Sequence, residues 1–135
     1  YSISNVGYGV AQVLPIIVEV LLASKNQWFS IQQPEVHLHP RAQAAFGEFV
    51  FNFFQKMRIN FLIETHSDYI IDRFRSKYKG SDLSDEDSQV LFFQKNELGN
   101  EVKSIRIKKD GNYAENQPKE FREFFINEEL RLLEI

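Results

Sequence analysis

Two short segments concentrate the side chains able to do chemistry. One is Gln32-Gln33-Pro34-Glu35-Val36-His37-Leu38-His39-Pro40, and the other is Glu64-Thr65-His66-Ser67. Each follows a short apolar run, Trp28-Phe29-Ser30-Ile31 in the first case and Ile59 to Ile63 in the second. His66 stands between a strand and a helix, where an imidazole can donate a hydrogen bond to phosphate without carrying a full charge. Its bland alternative is capping or packing, although Ser67 or Asp68 could cap the helix instead. His37 and His39 alternate after Glu35 and could present metal ligands on one side of an extended loop. The competing reading is that they only shape that loop. Gln32 and Gln33 are amides, which accept hydrogen bonds but cannot act as bases or bring negative charge to a cation.

The elements around these segments decide whether they can meet. Positions from about Tyr8 to Ala23 are apolar on nearly every side, as in a helix buried on most faces, with Pro15 predicting a kink or a later start. A strand over 28–31 ends at Gln32 and Gln33. Pro40 opens a second helix reaching about Met57, and a second strand covers 59–63. A third helix runs from Asp68 to about Tyr78. The acidic stretch 82–87 reads as a solvated loop. Residues 89–94 and 101–108 read as a hairpin joined by 95–100, followed by an Asp110-Gly111-Asn112 turn and a helical tail from Pro118. Strands alternating with helices imply an α/β fold with a parallel sheet, whose ligands bind at the strands' C-terminal ends. Both reactive segments lie at such ends, which predicts one shared site.

The decapeptide Ile31 to Pro40 closely resembles the Walker B region of ABC-type ATPases of the overcoming-lysogenization-defect and related bacterial AAA-like groups. Phe61-Leu62-Ile63-Glu64-Thr65-His66-Ser67 looks like their following strand and switch histidine. Ser4-Asn5-Val6-Gly7-Tyr8-Gly9-Val10-Ala11-Gln12 resembles a degenerate ABC signature before its helix. The three occur in the family's order, and the likeness is close over roughly residues 1–75. The fold it implies is the C-terminal half of an ABC ATPase head, parallel strands with flanking helices, plus a C-terminal β-hairpin and helical tail. Residues 1–80 would hold the three motifs, and 81–135 the final strands and tail of the same domain.

The resemblance implies ATP and Mg2+ as cofactors. In such ATPases the strand end supplies an acid that holds magnesium through water, then a carboxylate that orients the attacking water. Those positions fall here on Gln32, also the metal position, and Gln33. Relatives often read Glu-Gln at this point, so Gln32 is the departure. Either hydrolysis is impaired, or Glu35 or another carboxylate does the work. His66 would contact the γ-phosphate. Ser4, Asn5, Gly7, Gly9 and Gln12 would act in trans, on nucleotide held by a second subunit, through backbone N–H groups at a helix start. Glu64 reads as a strand-end acid with a structural partner.

The sequence contains no Gly-x-x-x-x-Gly-Lys-[Ser/Thr], so a lobe bearing that phosphate loop is expected from elsewhere in the same or another chain. The opening at Tyr1 reads as the interior of a longer chain. By resemblance, a homodimer of ATPase heads is expected, with an effector protein or nucleic acid as further partners in bacterial defence or DNA transactions. The rival classes are a non-catalytic ABC-like scaffold and a histidine–metal hydrolase. Over 135 residues, 43% hydrophobic content with 13 phenylalanines suits a packed core. A net charge of −3 argues against coating nucleic acid unaided. Zero cysteines remove disulfides, thiolate zinc sites and cysteine nucleophiles, and fit a reducing, cytoplasmic setting. The run 10–23 is interrupted by Gln12, Pro15 and Glu19, which predicts neither a membrane span nor a signal peptide.

Overall fold

Pro40 and Arg58 frame the longest helix among the described residues of the protein, seen here in a computed structural model that describes residues 7–97, 99–115, 117–118, 120–121, 123 and 130. Pro40 sits in the first turn, where its missing N–H costs nothing. Arg58 ends the helix in the left-handed region at φ 53°, with its N–H returned to the Phe54 carbonyl at 3.0 Å. The chain divides into two units, Tyr1–Lys79 and Gly80–Ile135.

In the first unit the order is α1 (Tyr8–Leu21), β1 (Trp28–Gln32), α2 (Pro40–Met57), β2 (Asn60–Glu64) and α3 (Asp68–Ser76). α1 is continuous across Pro15, which lies at an exposed position, so the helix does not start late at the proline. β1 and β2 pair in parallel, Trp28 beside Asn60 through to Gln32 beside Glu64. One face of the pair is covered: Ile31 is buried, and Phe29, Phe61 and Ile63 pack against the core formed by Val13, Phe46, Val50 and Ile70. The other face carries exposed Trp28, Ser30, Gln32, Leu62 and Glu64. That alternation departs from the doubly covered strands of a complete parallel sheet.

α2 and α3 pack closely because α2 has glycine at the contact. A Cβ on Gly47 would stand 2.3 Å from the Ile70 carbonyl oxygen, inside any permitted contact. Across the same helix pair, Glu48 bridges Arg73 at 3.0 Å and Lys77 at 2.6 Å. Ser67 caps α3 by accepting the Ile70 N–H, and Asp68 in the first turn with Arg73 and Arg75 in the last suits the helix dipole.

The second unit is built on an antiparallel hairpin, β3 (Gln89–Asn96) and β4 (Gly99–Arg106), with Asn96 opposite Gly99. β3 therefore runs two residues past the predicted 89–94, and β4 begins and ends two residues before the predicted 101–108. The connection shortens to two residues, and Gly99, which opens β4 just after it, has φ 135°. Ile105 and Ile107 are buried on its inner side. The Asp110–Asn112 turn closes through Gly111 at φ 82°, with Asp110 accepting the Asn112 N–H at 2.9 Å. Most of the tail expected from Pro118 lies outside the described residues. Parallel strands, helices and an antiparallel hairpin together make an α/β protein. No helix among the described residues is long and apolar enough to cross a membrane.

Candidate functional site

The parallel register carries the C-terminal ends of β1 and β2 to the same edge, and the loops leaving them are tied together. Gln33 donates its N–H to the Glu64 carbonyl at 2.8 Å, extending the ladder one residue past β1. Beyond it the chain turns sharply, with Gln33 at φ 43° and His37 at φ 65°. Two non-glycine residues in the left-handed region within one short loop mark a backbone held by its surroundings.

Glu35 is one of the restraints. Its Oε1 accepts the backbone N–H of His66 at 2.7 Å, joining the first loop to the second. Its Oε2 is buried and finds no hydrogen-bond partner among the described residues. Gln43 on α2 is the other restraint. It donates to the Leu38 carbonyl at 2.8 Å and accepts the Ser67 hydroxyl at 2.6 Å. Ser67 is buried, so this chain of bonds is shielded from competing water. Gln43 carries no motif and no periodic signal, and only its position facing Ser67 reveals it.

These bonds leave the His66 ring exposed and without a hydrogen bond among the described residues, at the edge where a ligand would approach. Gln32 and Glu64 are also exposed there, with Gln32 Nε2 donating to Glu64 Oε2 at 3.2 Å. The structure thus brings Gln32, Gln33, Glu35 and His66 to one edge and adds Glu64 and Gln43.

The two loop histidines have other work. His37 meets the ring of Tyr8 edge-on at 4.9 Å between centroids. His39 caps α2, its Nδ1 accepting the Arg41 N–H at 3.2 Å. No three histidine, aspartate or glutamate side chains among the described residues converge to hold an ion.

The signature-like segment is split by its surroundings. Ser4 and Asn5 lie outside the described residues. Gly7 is the N-cap of α1, exposed, with nothing near its Cα side and no side chain to cap the first turn. Gly9 is buried, and a Cβ there would stand 2.3 Å from the His37 carbonyl oxygen. The close approach that Gly9 permits is therefore to the chain's own histidine loop. Gln12 is exposed on α1.

An oxygen-rich edge suits a hard divalent cation bound mainly through phosphates and water, which needs one or two carboxylates from protein. Glu64 and the Gln32 side-chain carbonyl are the exposed oxygen donors at that edge. Magnesium bound there would offset charge on nucleotide phosphates.

No curated protein and no solved structure matches the chain. Residues 2–72, more than half of its length, match the family described as "AAA domain, putative AbiEii toxin, Type IV TA system". The span takes in α1, both parallel strands and their loops, and so the whole edge just described. The chain belongs to this AAA domain family, and its first unit is a nucleotide-binding, ATPase-type region.

Proposed function

We propose that this chain is the signature, Walker B and switch-histidine half of an ABC-type ATPase head related to the overcoming-lysogenization-defect group. A lobe carrying the phosphate loop completes it, from the same or another chain. The observation that carries the reading is the His66 backbone held by Glu35 at the shared ends of β1 and β2, with the ring left free. A sensor of the γ-phosphate needs that arrangement, a fixed main chain with an uncommitted imidazole. The open face bearing Trp28 and Leu62 suits coverage by the remainder of the head.

In this reading Mg2+-ATP sits at the strand-end edge, and Gly7 with the start of α1 approaches nucleotide on a second head. ATP then drives dimerisation coupled to an effector protein or nucleic acid, in cytoplasmic defence or DNA transactions. Gln32, Gln33, Glu35 and His66 form the reacting edge, with Ser4, Asn5, Gly7 and Gln12 on the partner-facing side. In the complete ATPase, His66→Ala should leave ATP binding near the parent value and lower turnover by about a hundredfold. Unchanged turnover would remove His66 from the site.

Gln32 supports a second reading, an ABC-like scaffold that closes on ATP without consuming it. An amide carries no charge toward the metal. Gln32→Glu in the complete ATPase separates the two: a gain in turnover places the parent as a slow ATPase, and no gain with ATP-dependent dimerisation intact supports the scaffold.

A further inference from the structure

We infer that Glu64, at the end of β2, supplies the negative charge toward magnesium that Gln32 does not supply from the end of β1. The inference rests on the ATPase reading above. Gln32 and Glu64 are register partners in a parallel pair, so their side chains leave the sheet on the same face. Both are exposed on the uncovered side.

Their hydrogen bond fixes the amide's orientation. A carboxylate only accepts, so the bond from Nε2 to Glu64 Oε2 turns the Gln32 carbonyl oxygen away as an available acceptor. The edge then offers a carboxylate and an amide oxygen, both suited to a hard cation or its bound water. The ion pairs among the described residues involve neither Glu64 nor Glu35, so no basic side chain there neutralises this charge.

Glu35 is the less suitable carboxylate. One oxygen is committed to the His66 N–H and the other is buried. Glu64 is the carboxylate that faces outward. The pairing also accounts for an amide at position 32. Two carboxylates side by side would repel each other. An amide beside a carboxylate keeps a single, localised negative charge.

The test uses the complete ATPase with saturating ATP and Mn2+ as the probe, titrated by electron paramagnetic resonance. Glu64→Gln should weaken Mn2+ binding by about tenfold, while ATP binding measured in EDTA stays at the parent value. Adding Gln32→Glu to that variant should restore Mn2+ affinity, because the charge returns to the same edge. Mn2+ affinity in Glu64→Gln within about twofold of the parent, or no recovery in the double variant, overturns the inference. A parent protein that binds no ATP in EDTA overturns the ATPase reading instead, and this inference with it.

Discussion

The Ser67 hydroxyl donates to Gln43 Oε1 at 2.6 Å, and Gln43 Nε2 donates onward to the Leu38 carbonyl at 2.8 Å. A residue on α2 thereby fixes both the cap of α3 and the exit of the histidine loop. The two loops at the candidate site share one support, besides the direct bond from His66 to Glu35.

Ser67→Ala removes a helix cap and leaves Gln43 Oε1 without its donor. It should cost about 1–2 kcal/mol in urea unfolding. Gln43→Ala removes the same bond from the other end, so a double-mutant cycle should return a coupling of about 1 kcal/mol. Strictly additive losses would show that the two side chains act independently.

Gly9→Ala forces a methyl against the His37 carbonyl, and backbone on both sides leaves little room to yield. The expected loss is about 1–3 kcal/mol, read from the denaturant midpoint. Gly7→Ala is the matched control, with open space around the added carbon and an expected cost under about 1 kcal/mol. Equal losses at the two positions would mean that helix propensity, and not the close approach, sets the requirement at Gly9.

Glu48 should shape the acid limb of stability. Hydrogen bonds from Lys77, and next from Arg73, hold its carboxyl below the ordinary 4.5. A depressed folded value means that the stabilisation is present above 4.5 and is lost as pH falls through the lower folded value. Glu48→Gln should therefore be less stable than the parent at neutral pH, with the gap closing in strong acid and narrowing in high salt. A gap that persists unchanged in acid would assign the loss to packing and not to charge.

The bounds of α2 were legible because Pro40 marks its start and the apolar 3.6-residue period from Ala42 ends at Met57. The strand ends were legible for the same reason, since apolar runs stop at Gln32 and Glu64. The hairpin register was not, because polar residues run on both sides of the turn and no apolar alternation fixes where pairing stops. Gln43 and the bond from Gln32 to Glu64 escaped the sequence because 24 and 32 residues separate the partners. No periodicity links such positions until strands and helices are placed. The requirement for glycine at position 9 also escaped the sequence, because the His37 backbone that a side chain there would meet lies 28 residues away.

Among the described residues, β1 and β2 pair only with each other. Each therefore presents a bare ladder of donors and acceptors along its outer side, beside the apolar Trp28 and Leu62. Such an edge is a template for any extended chain that reaches it. Kept from its natural neighbours during synthesis, this polypeptide should add strands from other copies, forming oligomers of rising size that chaperones would have to intercept.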